Sequence, residues 1–155
     1  MSSTLKYVGD SQAQAVDGLD KVLGQAKYVG DMKLDGMLHV KLLFSPLPHA
    51  LISRLDVGPA LNVPGVTAVI TSADFANNGA FGWPVNDAFV LAHNKVRYAG
   101  DLIAAVAAET EKAASAGVRA ILLELKELPV VSDTAHALDS AAPLVPLVPP
   151  KDAGN

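Results

Sequence analysis

The chain has 155 residues, of which 50% are hydrophobic, and a formal net charge of -4. This composition fits one domain with a real core and excludes a wholly disordered chain. The acidic balance argues against nucleic acid as the main partner, and the absence of cysteine excludes disulfides, thiolate metal sites and iron–sulfur ligation by cysteine.

The N-terminal sequence shows no targeting or membrane signal. Residues 1–14 are polar and have no apolar core of the signal-peptide type. No apolar run reaches the ~18 to 20 residues that a membrane helix needs. We therefore expect a soluble, cytoplasmic protein that binds neither nucleic acid nor membrane.

A leading segment, residues 1–27, precedes the first regular elements. The Gly- and Asp-containing stretch 16–24 predicts a turn or short helical turn on a surface. Residues 37–44 are predicted as a strand, because apolar residues alternate with others along it. Its predicted buried face consists of Leu38, Val40 and Leu42.

Prolines and short apolar runs predict the next elements. Pro46 and Pro48 end the first strand, because neither can donate to a ladder. Residues 50–57 are predicted as a second strand with regular alternation, and residues 59–63 as a helical turn that begins at proline. A β-branched strand, 66–70, precedes a helical turn capped by Thr71 or Ser72. One side of the second strand is expected to carry Leu51, Ser53, Leu55 and Val57.

The second half is irregular at first and then becomes regular. Loop signals fill residues 76–94, and a Gly100-Asp101 turn separates a short strand at 95–98 from a strand at 102–108. The strand 102–108 contains no polar residue, which predicts a central strand covered on both faces. Thr110 is predicted to cap a helix that runs to about Ala120.

The remaining elements complete a mixed α+β domain. Small residues on one face of that helix predict close docking on a sheet, and alternation predicts a strand around 123–126. A short helix is predicted at 134–138, and the proline-rich tail from Ala141 is predicted as an extended linker. We expect a mixed sheet with one main helix packed on it. No glycine-rich phosphate loop follows a strand, so nucleotide binding has no support. The small residues of the helix face are Ala113, Gly117 and Ala120, followed by Ile121.

No residue pattern predicts catalysis or metal binding. The four histidines form no ligand pair on one element. Ser45 and His49 lie close together, but the prolines between them favour a rigid turn in which both bond to backbone groups. Asp31 and Asp35 flank one turn, where Asp is expected for local backbone bonding.

Several of these turns and strands together resemble one known family. These segments include Gly30-Asp31, Gly36-Met37-Leu38-His39, Ser45-Pro46 with His49-Ala50, Pro64-Gly65-Val66, and Lys95-Val96-Arg97-Tyr98 with Gly100. Through them, over about residues 16–155, the chain resembles the start of the molybdenum-binding subunit of the xanthine dehydrogenase and aldehyde oxidase family.

The resemblance implies an α/β-hammerhead fold and a division of the chain. It implies a leading segment at 1–27, a hammerhead domain at 28–140 and a Pro-rich linker at 141–155 toward a molybdenum-cofactor domain. Gly154-Asn155 resembles the junction where that domain begins. The family's cofactor loops and catalytic glutamate come after this region, so no catalytic, cofactor-binding or metal residue is carried over.

The resemblance also implies a role and partners. The chain would be the structural domain of a molybdenum hydroxylase, an oxidoreductase that uses molybdopterin–molybdenum, iron–sulfur clusters and FAD or another acceptor. Its expected partners are the molybdenum-cofactor-binding domain or subunit, an iron–sulfur subunit and an FAD subunit. When isolated, it is expected to expose apolar surface and to self-associate.

A domain-docking surface is predicted around two turns and one loop. Family turns such as Gly100-Asp101 face neighbouring domains, although a plain hairpin turn is the simpler interpretation. The aromatic loop with Phe81, Trp83 and Phe89 would either dock a partner or fold over its own core. The predicted docking residues are Ser45, Pro46, His49, Trp83, Tyr98, Gly100 and Asp101.

Two other functions remain open. Lys33 lies between two turns, as the modified lysine of a biotin carrier does, so a carrier domain is one alternative. An independent binding module is the other.

Overall fold

The structure is a computed structural model that describes residues 15–83, 88–143 and 145. Contacts divide the chain into two compact units, Met1–Asp35 and Gly36–Asn155. Most of the predicted linker and the Gly154-Asn155 junction lie outside the described residues.

The described part of the first unit has little regular structure. Helix α1 spans Gly18–Val22, and a 3-10 turn spans Val29–Asp31. The short surface helix predicted in the leading segment is therefore confirmed. None of the described residues in this unit is buried, so they form no apolar core.

The second unit contains the sheets and the main helix. Its strands are β1 His39–Phe44, β2 Ala50–Asp56, β3 Val66–Thr71, β4 Ala80–Phe81, β5 Ala88–Phe89, β6 Lys95–Val96, β7 Leu102–Ala108 and β8 Leu122–Glu127. Its helices are α2 Gly58–Leu61, α3 Glu111–Ala120 and α4 Thr134–Ala137, with 3-10 turns at Ser72–Asp74 and Ala76–Gly79.

The strands form three small sheets in the described residues, with the orders β1-β7-β3, β6-β2-β8 and β4-β5. The α+β class with one main helix is confirmed. The pairing differs in one detail from the expected mixed sheet, because every described pair is antiparallel. β7 lies between β1 and β3 and is antiparallel to both, so these two strands have the same direction but do not pair.

Helix α3 covers one face of the β1-β7-β3 sheet. Thr110 caps it as predicted, since its Oγ1 accepts a hydrogen bond from the Ala113 backbone N–H at 3.1 Å. Gly117 lies against the sheet, where a Cβ would come within 2.7 Å of Val106 Cγ1. The predicted close docking of small residues is therefore confirmed.

The core consists of two clusters of buried side chains. Leu43 and Leu55 pack against both clusters and so join them. The first cluster is Ala50, Ala92, Val96 and Ile103, and the second is Ala60, Ala104, Val106 and Ile121.

The predicted buried face of β1 was wrong. Val40 and Leu42 are exposed, whereas Leu43 and Lys41 are half-buried on the opposite face. Lys41 Nζ lies 2.6 Å from Glu111 Oε1 on α3, so the Lys41 side of the strand faces the helix. Both faces of β1 carry apolar residues, and alternation alone therefore could not identify the inner one.

The central position of β7 is confirmed, but only one of its faces is fully buried within the described residues. Ala104, Val106 and Ala108 are fully buried, whereas Ala105 and Ala107 are only half-buried. In the described residues, one face of this strand is thus less covered than an all-apolar sequence predicts.

The predicted alternation of β2 was wrong, because the strand contains a β-bulge. The register with β8 shifts between Ile52 and Arg54. Ile52 and Leu55, three residues apart, therefore both pack into the core. Leu51 and Ser53 are exposed instead of sharing a face with Leu55.

Candidate functional site

The two turns predicted as a docking surface lie next to each other. The Ser45 N–H donates to the Asp101 carbonyl at 2.8 Å, and the Gly100 N–H donates to the Ser45 carbonyl at 2.9 Å. Gly100 has a φ of +89°, a conformation that favours glycine. The structure therefore brings together Ser45, Gly100 and Asp101, although they come from opposite halves of the chain.

The polar side chains at this junction bond to the backbone. Asp101 is buried, and its Oδ2 accepts a hydrogen bond from the Arg97 N–H at 3.0 Å. Ser45 is also buried, and its hydroxyl donates to the Leu47 carbonyl at 2.7 Å while accepting from the Leu47 N–H at 3.1 Å. These bonds hold the two turns in place, so the role of Ser45 here is structural.

His49 links the same turn to the end of β8. Its ring is buried, and Nδ1 lies 2.7 Å from the carbonyl oxygen of Pro129. Only a protonated Nδ1 can donate to that oxygen. Nε2 is buried and has no hydrogen-bond partner among the described residues. The prediction that Ser45 and His49 bond to backbone groups is confirmed, and these bonds do not form a nucleophile–base pair.

Burial divides the seven predicted docking residues into two sets. The side chains of Ser45, His49 and Asp101 are buried within the domain, so their prediction as surface residues needs correction. Their hydrogen-bond partners are distant in sequence or belong to the backbone, which sequence alone could not reveal. The exposed set is Pro46, Trp83, Tyr98 and Gly100.

The aromatic side chains of the loop differ in their exposure. Trp83 is 93% exposed, so its side chain does not fold over the core. Phe89 is half-buried, with the Arg97 guanidinium carbon 5.5 Å from its ring centroid and the His93 ring centroid at 6.0 Å. Trp83 is therefore available to a partner, whereas Phe89 packs within the domain.

Sequence analysis missed a contact between Ser72 and His93. His93 Nδ1 is 3.4 Å from Ser72 Oγ, and the Asn94 side-chain amide lies 2.9 Å from His93 Nε2. If the amide nitrogen donates to Nε2, the ring proton resides on Nδ1. His93 then donates toward Ser72 and cannot take its proton, so the contact does not activate the serine.

Lys95 is a buried basic residue that the sequence analysis did not single out. Burial lowers the pKa of Lys95 below its ordinary value, and the nearby positive charge of Arg97 lowers it further. β6 spans only two residues, so the sequence gave no periodic signal for this burial.

The described residues do not fit a molybdenum or other metal centre. Within the ranges that the structure describes, no group of three or more histidine and acidic side chains lies close enough to hold a metal ion. The chain also has no cysteine. We therefore derive no reaction step through a metal in this domain.

The carrier alternative needs a lysine at the tip of a β-hairpin, and the structure does not provide one. Lys33 follows the 3-10 turn Val29–Asp31, and the next strand, β1, begins only at His39. No strand precedes Lys33 in the described residues. Within the same ranges, no helix has the length and apolar composition needed to cross a bilayer.

The domain has an α+β fold, and the polar side chains of its turns bond to its own backbone. The family model described as "Aldehyde oxidase and xanthine dehydrogenase, a/b hammerhead domain" matches residues 23–129. The chain belongs to this family, as its sequence resemblance implied.

Two similar proteins, a probable xanthine dehydrogenase subunit and a large molybdopterin subunit, are much longer than this chain. The chain is 44% identical to a probable xanthine dehydrogenase subunit of Bacillus subtilis (strain 168), covering 79% of this chain and 16% of that protein. It is 35% identical to the nicotinate dehydrogenase large molybdopterin subunit of Eubacterium barkeri, covering 94% and 34% respectively.

A solved structure gives the same result. The Cu,Mo-CO dehydrogenase structure matches with a TM-score of 0.81 and 30% identity, over 92% of this chain and 18% of that one. The chain thus spans between about a sixth and a third of the length of these relatives.

Proposed function

We propose that this chain serves as the structural hammerhead domain of a molybdenum hydroxylase, and that its own residues carry out no chemical step. The family match over residues 23–129 carries this proposal. The domain would support the region that holds the molybdenum cofactor and would help to shape the path of the substrate.

The internal use of polar groups supports a scaffold role. Ser45 and Asp101 bond to backbone N–H groups, and His49 donates to a backbone carbonyl. A nucleophile or general base must reach the substrate, whereas His49 Nε2, which has no hydrogen-bond partner among the described residues, is buried. In these turns the polar groups instead hold the backbone in a fixed geometry.

The relatives' names support the choice of a molybdenum cofactor. They refer to xanthine dehydrogenase, to a large molybdopterin subunit and to a Cu,Mo enzyme. In the complete protein, molybdopterin–molybdenum would be bound by the region outside this domain. Iron–sulfur and FAD subunits would carry the electrons away from the molybdenum site. The composition of the chain, which has no cysteine, is consistent with a cytoplasmic location.

A segment exchange tests the proposed function. The matched segment of the Bacillus subtilis relative is replaced by the corresponding residues of this chain, and the chimera is purified beside the natural protein. We expect the chimera to be soluble, resistant to limited proteolysis and loaded with molybdenum. A control chimera carries an unrelated α+β domain of similar length at the same position and should fail to assemble.

The same experiment distinguishes a scaffold from an independent binding module. A module with its own ligand would have no reason to complement the missing domain of a molybdenum enzyme. A chimera that aggregates or lacks molybdenum, while the natural protein retains it, would contradict the proposal.

A further inference from the structure

The face of the β1-β7-β3 sheet opposite α3 carries a continuous set of apolar side chains. Val40 pairs with Ala107, which pairs with Ala68 on its other side, and Leu42 and Ile70 flank Ala105 in the same way. These two rows cross all three strands and form one continuous patch. This open sheet face consists of Val40, Leu42 and Phe44 on β1, Ala105 and Ala107 on β7, and Ala68 and Ile70 on β3.

The exposure of this face is large for an apolar sheet surface. Val40 is 56% exposed and Phe44 is 51% exposed, and Leu42 and Ile70 are also exposed. The three alanines are half-buried. Contiguous apolar surface of this kind marks an interaction site on a soluble domain.

Other outward faces of this domain have a different chemistry. The exposed side of α3 carries Glu111, Lys112 and Arg119, and the exposed side of β8 carries Glu124 and Lys126. An antiparallel sheet that faces water normally alternates apolar and polar residues. The open sheet face lacks that alternation, so its composition is that of a buried surface.

We propose that the open sheet face is the surface by which this domain packs on the rest of the molybdenum-enzyme large chain. This inference rests on the proposed function and names the face that performs it. The matched segment makes up only 16% of the Bacillus subtilis relative and 18% of the CO dehydrogenase chain. Most of each relative therefore lies outside the domain and can supply a covering surface.

The chemistry of the face defines the covering surface as well. Seven apolar side chains without a charge among them offer no ion pair or hydrogen bond to a polar partner. Burial against an apolar surface stabilises such a contact by about 25 cal/mol for each Å² removed from water. The covering surface is therefore apolar, and the rest of the large chain, which makes up most of each relative, supplies it.

Cysteine labelling tests this assignment, because the chain has no natural cysteine. Leu42→Cys places a thiol on the open sheet face, and Leu51→Cys places a control thiol on β2. The two leucines are matched, with exposures of 39% and 40%. Both variants are labelled with a maleimide, first in the isolated chain and then in the Bacillus subtilis chimera, and the labelled peptides are quantified by mass spectrometry.

We expect both thiols to react readily in the isolated chain at low concentration. In the folded chimera, Leu42→Cys should react at least about tenfold more slowly, because the interface must open before the thiol is reached. Leu51→Cys should keep its rate within about a factor of two, since its surroundings do not change.

Three results would overturn the assignment. Equal labelling of Leu42→Cys in the isolated chain and in a molybdenum-loaded chimera would refute the named face while leaving the proposed function intact. Protection of Leu42→Cys in the isolated chain that grows with concentration would identify a second copy as the occupant. Equal protection of both thiols in the chimera would show that the contact is not specific to this face. Failure of the unsubstituted chimera to assemble would instead contradict the proposed function.

Discussion

The contact between α3 and the sheet makes Gly117 a sensitive position. A Cβ at Gly117 would lie 2.7 Å from Val106 Cγ1 and 3.0 Å from Val66 Cγ2. Val106 is fully buried, and a β-branched side chain has few rotamers with which to move away. In Gly117→Ala, either the helix shifts outward or the two valines are displaced.

Two opposing effects decide the size of the change. Alanine in a helix interior is favoured over glycine by about 1 kcal/mol. Overpacking of a close-packed core costs about 1 to 3 kcal/mol. Because both contacts are with rigid methyl groups, we expect overpacking to exceed the propensity gain. The net loss in the free energy of unfolding should be about 1 kcal/mol, or about 2 to 4 °C in Tm for a chain of this size.

Urea unfolding followed by circular dichroism measures this loss. Gly18→Ala on α1 is the control, since its Cβ would meet only Ala15 Cβ at an ordinary 3.4 Å, and it should leave the main transition unchanged. Val106→Ala should be destabilising alone, yet the double variant with Gly117→Ala should be more stable than additivity predicts, by about 1 kcal/mol. A Gly117→Ala protein as stable as the natural chain, or more stable, would refute the close approach of α3.

Three further predictions concern polar groups. Asp101→Ala should lower the free energy of unfolding by about 1 to 3 kcal/mol because the Arg97 N–H loses its acceptor; a loss equal to that of Asp139→Ala, an exposed turn residue, would contradict this. Thr110→Ala should cost about 1 kcal/mol and Thr110→Ser much less, and equal losses would argue against the cap. Hydrogen bonding and charge from Lys41 hold the pKa of Glu111 below its ordinary value of 4.5, so this pair stabilises the fold above that pH and is lost as pH falls through the lowered pKa. NMR titration should show the pKa of Glu111 rising in Lys41→Met, and an unchanged titration would exclude the pair in solution.

Much of the fold could be predicted because its signals are local. Thr110 precedes an amphipathic run, and its hydroxyl caps α3 as a threonine there should. The bounds of β7 match the apolar run 102–108, and Pro59 lies in the first turn of α2, where proline is favoured. Each of these features depends on neighbours within a few residues.

The faces of the strands could not be predicted, because they depend on distant partners. β1 has apolar residues on both sides, and its inner side is set by pairing with β7 and by the contact of Lys41 with α3. The bulge in β2 appears only once β8 fixes the register around Ile52. A one-residue error in such a strand exchanges its two faces.

The predicted docking site shows the same limit. The turn residues were correctly expected to lie in turns, but the burial of His49 depends on the carbonyl of Pro129, eighty positions away in sequence. The sequence did not reveal the open sheet face, because its apolar residues are also typical of a buried core. Only the pairing of β1, β7 and β3 shows that this surface faces away from α3.

Elemental analysis of the purified chain, combined with an activity assay, tests the scaffold role most directly. The isolated chain, expressed in cells that make molybdopterin, should contain almost no molybdenum and should turn over neither aldehydes nor purines. Near-equimolar molybdenum, or genuine turnover by this chain alone, would contradict the account.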